Sequence, residues 1–265
     1  MADQLANDAA PDFDSWEMSP DRLRLSEGEV HVWRASLDCG ENVLHRFEAT
    51  LALDEKARAQ RFVFQPDRNS YIAARGVLRE LLGKYLNRGP SEIEFDYGTQ
   101  GKPALRSGSS RSGVQFNVSH SHGMALFVFA VGRQVGVDVE LARPDFAGEK
   151  IAERFFSPQE VRELRSLPAA VQDEGFFLCW TRKEAFLKAH GRGLSIPLDS
   201  FAVSLDRGTT PSLLECKWDP EETKRWSFVS LDLGAQFAGA LAVRGKDWSV
   251  RHFDWIADRS LISAL

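Results

Sequence analysis

A chain of 265 residues with 43% hydrophobic content can bury one large core or two ordinary ones, and 27% charged residues is the usual proportion for a soluble protein. The formal net charge of −5 argues against a nucleic-acid binder, so any site for a polyanion must be a local cluster. No apolar stretch is long enough to cross a bilayer, and Cys39, Cys179 and Cys216 lie far apart with no C-x-x-C pair, so neither a zinc knuckle nor a disulfide framework is readable.

Residues 1–20 carry Asp3, Asp8, Asp12, Asp14 and Glu17 and no Lys or Arg. A signal peptide needs a basic start and an apolar run, so this segment reads as a disordered acidic tail on a cytoplasmic protein with reduced thiols. A strand is predicted over 30–35, then helical segments over 51–64 and 67–87 with Asp67 as an N-cap. In the second helix Tyr71, Ala74, Leu78, Leu81, Leu82 and Tyr85 form one apolar stripe, with Arg75 at its edge. The run from Arg106 to Gly113 reads as a mobile loop. Strands over 114–119, 124–131 and 134–141, joined by short glycine turns, predict an antiparallel meander.

A linker with Pro144 and Gly148 divides the chain. Beyond it the order recurs: a helix after Phe156-Ser157-Pro158, a helix over 176–190, and strands over 201–205, 226–231 and 238–243. Arg61-Phe62 and Arg154-Phe155 open comparable helical regions. The expected fold class is α+β, with two similar halves in one chain, each with helices on a small antiparallel sheet. The expected boundaries are a tail over 1–20, one half over 21–143 and the other over 144–265.

Three groups of residues suit chemistry. In Gly136-Val137-Asp138-Val139-Glu140, strand alternation points both acids the same way, with Cα atoms roughly 6–7 Å apart. Such a pair can share a hard cation, or it can be a solvated strand face. In the helix over 176–190, Lys183 falls within the apolar arc of Phe176, Trp180 and Leu187, with Glu184 beside it and Lys188 one turn on. A charge there needs a partner or a metal. A buried Lys–Glu pair, or a snorkelling Lys183 with a surface Glu184–Lys188 pair, explains the pattern equally well. The run Asn117-Val118-Ser119-His120-Ser121 offers hydroxyl and imidazole donors to a phosphate, or is a polar hairpin turn.

Taken in order, these elements resemble those of the surfactin-synthetase-activating (Sfp) type of 4′-phosphopantetheinyl transferase. Gly101-Lys102-Pro103 and Asn117-Val118-Ser119-His120-Ser121 are similar to its G-K-P and N-x-S-H-S elements. Gly136-Val137-Asp138-Val139-Glu140 resembles its metal strand, and Phe155-Phe156-Ser157-Pro158-Gln159-Glu160 its F-S-x-x-E element. Trp180-Thr181-Arg182-Lys183-Glu184-Ala185-Phe186-Leu187-Lys188 resembles its W-x-x-K-E-x-x-x-K helix. The resemblance covers about residues 58–205. Glu55 departs from it, standing where a basic residue is expected near the nucleotide.

The resemblance implies transfer of 4′-phosphopantetheine from coenzyme A to a serine of an acyl- or peptidyl-carrier protein, in polyketide or nonribosomal peptide synthesis, with release of 3′,5′-ADP. Mg²⁺ would be held by Asp138, Glu140 and Glu184. Glu184, directly or through a metal-bound water, would take the serine proton, and Lys183 and Lys188 would stabilise the pyrophosphate and the leaving oxygen. Arg58, Arg75, Lys102, Ser119 and His120 would bind nucleotide phosphates. It also implies a monomer that is an internal pseudodimer, with its site between the halves; charge balance and the lack of a long apolar stretch are what speak against a nucleic-acid or membrane partner. The docking surface for an acidic carrier is expected near 156–167, where Arg162 and Arg165 flank Val161 and Leu164. A Mg²⁺-dependent nuclease and a non-catalytic carrier-binding module are the rival readings.

Overall fold

Short-range sequence signals set the elements. The computed structural model describes residues 16–18, 20, 23–98, 101–106, 113–143, 148–205 and 210–257. Most of the expected acidic tail, residues 107–112 of the expected loop and Pro144 of the linker lie outside these. The first half runs β1 (Glu17–Met18), β2 (Glu29–Ser36), α1 (Glu41–Thr50), α2 (Leu53–Ala59), α3 (Gln65–Leu86), β3 (Phe95–Tyr97), β4 (Pro103–Leu105), β5 (Val114–Ser121) and β6 (Met124–Val131). Then follow β7 (Val135–Leu141), α4 (Gly148–Phe155), α5 (Pro158–Ser166), α6 (Ala169–His190), β8 (Phe201–Val203), β9 (Leu213–Cys216), α7 (Glu222–Arg225), β10 (Trp226–Leu231), β11 (Phe237–Arg244) and β12 (Ser249–Asp254).

Several expectations need correction. The helix expected over 51–64 is α2 alone, and α1 precedes it. The N-cap of α3 is Phe64, not Asp67; Pro66 lies in the first turn and starts the helix earlier, leaving Asp67 near its positive end. Arg61-Phe62 and Arg154-Phe155 stand at or beyond helix ends rather than at helix starts.

The strand after β6 does not continue a meander. β5 and β6 pair antiparallel, but β7 leaves them and pairs with β11, giving an antiparallel sheet in the order β10-β11-β7. β12 makes the reverse crossing. It joins the first sheet beside β2, in the order β1-β12-β2-β6-β5, and pairs with β2 in parallel. The first sheet is therefore mixed, and residues 249–254, expected in the second half, belong to the sheet of the first. The two sheets meet through a shared apolar layer that includes Val32, Val128, Val137, Val139, Leu241 and Val243. Each half has its own further core, around α3 and around α6.

The two halves repeat each other most clearly in α3 and α6, both 22 residues long. Both end on a left-handed residue, Asn87 and Gly191, whose N–H returns to the carbonyl four residues back. Counted from the helix start, Arg79 matches Lys183, Glu80 matches Glu184, and Lys84 matches Lys188. The surroundings of the first pair match too. Glu160, third residue of α5, accepts the Ser157 N–H at 2.7 Å and holds Lys183 at 2.6 Å. Glu55, third residue of α2, accepts the Ala52 N–H at 2.9 Å and holds Arg79 at 2.8 Å. Each cation also donates to a backbone carbonyl beyond its helix, Ile93 for Arg79 and Phe201 for Lys183. Glu55 is thus a buried structural carboxylate, which explains why no basic residue stands there.

Candidate active site at the seam

Gly136, Asp138 and Glu140 alternate with Val137 and Val139, so all three face α6 while the valines enter the layer between the sheets. The glycine sets the distance. A methyl group at Gly136 would overlap the Ala185 carbonyl and the backbone of Ala189. Only a residue without Cβ lets α6 lie this close to β7. Glu184 and Lys188, one helical turn apart on α6, are thereby brought against the two acids of β7.

Lys188 Nζ donates to Asp138 Oδ1 at 2.6 Å and to Ser119 Oγ at 2.9 Å. The second oxygen of Asp138, Oδ2, is buried and has no hydrogen-bond partner. No hydrogen bond to the Glu184 carboxylate is made among the described residues. Burial, then the charge of Asp138, hold both Glu140 and Glu184 above the usual carboxylate range. Three acids therefore share a partly enclosed face, and among the described residues Lys188 is the ammonium bonded to one of them. Such a face is deficient in positive charge, and an orphaned carboxylate oxygen suits a hard cation. Among the described residues no three His, Cys, Asp or Glu side chains are already gathered into a metal cage.

Beside these groups opens a cavity of about 280 Å³ lined by Lys102, Phe116, Val118, Glu184, Leu187 and Lys188, among others. A second cavity of about 430 Å³ adjoins it and shares Lys102, Pro103, Phe116 and Gly191. Lys102 Nζ donates to the Lys188 carbonyl at 2.5 Å, which ties the β3–β4 hairpin to the end of α6. Burial and the nearby Lys188 ammonium lower its pKa. His120 is an exposed residue near the end of β5, on the face that carries Phe116 and Val118, and desolvation of its ring, then the Lys188 ammonium, lower its pKa as well.

The remaining expected site residues lie elsewhere or act otherwise. Lys183 is wholly buried, bound by both oxygens of Glu160 and by the Phe201 carbonyl, so it cannot reach a phosphate in the cavity. Of the readings open from sequence, the buried Lys–Glu pair is the one found, with Glu160 as the partner instead of the neighbouring Glu184. Ser119 is 6% exposed and is bound to Asp138, Lys188 and the Val139 N–H. Its hydroxyl donates to Asp138. Arg75 bonds Glu55 at 2.6 Å and Tyr97 at 2.9 Å and lies over the Phe95 ring. Arg58 is exposed and lies over the Tyr71 ring. On the expected docking segment Arg162 is exposed, Arg165 pairs with Glu153, and Leu164 is buried in the second core.

Sequence reasoning missed the part that Ser119 and Ser121 play. The signal was present: Asn117, Ser119 and Ser121 recur at the same two-residue spacing as Asp138 and Glu140.

Comparison with known proteins agrees with this organisation. Residues 134–242 match the family model described as the 4′-phosphopantetheinyl transferase superfamily, and residues 37–131 match one described as 4′-phosphopantetheinyl transferase, N-terminal. The junction of the two models falls just before β7, ahead of the expected boundary at 143. The chain is 39% identical to the 4′-phosphopantetheinyl transferase HetI of Nostoc sp., over 91% of this chain and 98% of that one. It is 30% identical to the human L-aminoadipate-semialdehyde dehydrogenase-phosphopantetheinyl transferase, over 83% of this chain and 77% of that one. It is also 30% identical to the 4′-phosphopantetheinyl transferase Sfp of Bacillus subtilis, over 60% of this chain and 69% of that one.

Proposed function

Since this chain belongs to the 4′-phosphopantetheinyl transferase superfamily, we propose which of its residues carry the reaction and that it is of the surfactin-synthetase-activating (Sfp) type. It is an enzyme that moves the 4′-phosphopantetheine arm of coenzyme A to a serine of a carrier protein and releases 3′,5′-ADP. Membership in this family removes the nuclease and the non-catalytic module as readings. The observation that carries the assignment of residues is the convergence of Asp138, Glu140, Glu184 and Lys188 beside one cavity, with Asp138 Oδ2 left unpaired. Support for the Sfp type comes from the two halves in one chain and the likeness to Sfp itself.

Asp138, Glu140 and Glu184 would hold a divalent cation such as Mg²⁺, which when bound neutralises charge on the pyrophosphate and the transferring phosphoryl group. The unpaired oxygen and the raised carboxylates fit that group. Glu184, on the cavity wall, is the group that would take the serine proton. Lys188 faces the place where negative charge grows on the leaving ADP oxygen. Lys102, which lines the cavity, and His120, near Lys188 at the end of β5, would meet the nucleotide phosphates. Phe116, Val118 and Leu187 supply apolar wall that excludes water. Lys183 enters this mechanism only by holding α6 in place.

The site lies where the halves of one chain meet, which suits a monomer. No helix among the described residues is long and apolar enough to cross a membrane, and a reducing cytoplasm suits three free cysteines. Arg162, on the exposed face of α5, suits an acidic acyl- or peptidyl-carrier protein. The test is to incubate the purified chain with coenzyme A, Mg²⁺ and an apo-carrier and to weigh the carrier. A mass gain equal to the phosphopantetheine arm is expected; an unchanged carrier across several acyl- and peptidyl-carriers would overturn the reading.

A further inference from the structure

Among the described residues β7 is paired by backbone hydrogen bonds along one edge, to β11. Its other edge faces β5, and there side chains take the place of a backbone ladder. Asn117 Oδ1 accepts the Val137 N–H at 3.0 Å, Ser119 Oγ accepts the Val139 N–H at 3.4 Å, and Ser121 Oγ accepts the Leu141 N–H at 3.3 Å. The two serines do more. Ser119 donates its hydroxyl proton to Asp138 Oδ1 at 2.7 Å, and Ser121 donates to Glu140 Oε2 at 2.9 Å. Each serine therefore grips one acid and the N–H of the residue after it. The device is used twice, in the same register. A hydroxyl has one proton and two lone pairs, so it can serve both partners at once.

We propose that Ser119 and Ser121 are positioning residues, which aim the Asp138 and Glu140 carboxylates by dividing each hydroxyl between an acid and the backbone of the metal strand. The inference rests on the reading of Asp138 and Glu140 as cation ligands. Each grip fixes a carboxylate relative to its own backbone. Ordering of this kind must otherwise be supplied when a ligand binds. Ser119 also accepts from Lys188 at 2.9 Å, so it sets the acid and the ammonium relative to each other. Asn117 pegs the strand but touches neither acid, and serves as the internal comparison.

The experiment measures Mn²⁺ binding to the full chain by electron paramagnetic resonance, and separately the Mg²⁺ concentration for half-maximal transfer. Ser119→Ala and Ser121→Ala should each weaken Mn²⁺ by about 10–100-fold, the range for loss of a residue that orients a ligand. The Mg²⁺ requirement should rise in parallel. Ser121→Thr, which keeps the hydroxyl, should bind Mn²⁺ within a few-fold of the parent. Asn117→Ala should lower thermal stability with a much smaller change in Mn²⁺ affinity. Ser121 stands at the end of its strand and decides the matter alone if Ser119→Ala does not fold. Parental Mn²⁺ binding by both alanine variants, with binding lost in Asp138→Asn, overturns the positioning role and leaves the ligand assignment intact. Parental binding by Asp138→Asn itself overturns the ligand assignment and this inference with it.

Discussion

Lys188 Nζ lies 2.6 Å from Asp138 Oδ1, so the last lysine of α6 rests on the first acid of β7. In the proposed mechanism it faces the leaving ADP oxygen. Lys188→Ala should lower kcat by about 10²–10³, the usual loss for one electrostatic contact made in the transition state. KM should rise less, because the contact strengthens as the bond breaks. Lys188→Arg should recover only part of the rate, since a planar guanidinium does not replace a compact ammonium. Steady-state kinetics with both substrates varied checks this. A normal kcat with only a raised carrier KM would place Lys188 at the docking surface.

The contact at Gly136 should be as consequential as a ligand. Gly136→Ala forces a methyl group into the backbone of α6 at Ala185 and Ala189. Overpacking of this kind typically costs about 1–3 kcal/mol of stability. The displaced helix carries Glu184 and Lys188, and a misplacement of about 1 Å can lower a rate by about 10²-fold. We expect a folded protein with a lowered melting temperature and a loss of kcat out of proportion to it. Circular dichroism melts and transfer assays on the same sample measure both.

Lys183 and Glu160 are both wholly buried. Lys183→Met leaves the Glu160 carboxylate buried without its cation, and such a loss costs about 3–5 kcal/mol. Adding Glu160→Gln should restore part of it, because the orphaned charge is gone. Urea unfolding of the parent, both single variants and the pair gives the coupling. Coenzyme A affinity of any folded Lys183 variant should match the parent; a large selective loss would return Lys183 to the phosphate site.

Lys102 lines both cavities and is hydrogen-bonded to the last turn of α6. Lys102→Ala should weaken coenzyme A more than dephospho-coenzyme A if the ammonium meets the 3′-phosphate. Calorimetric titration with the two ligands measures it. Equal affinity of variant and parent for coenzyme A would remove Lys102 from the nucleotide site.

The raised carboxylates make a prediction in pH. Burial and Asp138 push Glu140 upward, so the folded chain binds its proton at higher pH than the unfolded chain does. The metal-free fold should gain stability as pH falls through the folded value and level off below the unfolded one. At about pH 8 the Glu140 charge is a net burden on the metal-free protein. Glu140→Gln should therefore melt higher than the parent there in a chelating buffer, and the difference should shrink toward about pH 4. Mg²⁺ should raise the melting temperature of the parent and barely affect the variant. A variant that melts lower at every pH would show that Glu140 is held by its contacts more than it is strained by its neighbours.

Much of the site was legible in the chain because its signals are local. Two-residue alternation places Asp138 and Glu140 on one face whatever the strand pairs with, and one helical turn places Lys188 next to Glu184 whatever the helix packs on. The capping box of Ser157 and Glu160 starts α5 from within four residues. These are properties of a few consecutive backbone units, so sequence alone determines them. Partner choice was not local. Lys183 faces Glu160, 23 residues away, and Ser119 faces Asp138, 19 away, because folding brings α5 onto α6 and β5 beside β7. The exchange of β7 and β12 between the two sheets likewise rests on which apolar faces meet, as Val137 and Val139 do with Val32 and Val128. Burial then decides chemistry that residue type leaves open. A lysine with its ammonium enclosed by a carboxylate and a carbonyl becomes a strut, while another five residues along the same helix, left partly open beside a cavity, remains available to a substrate.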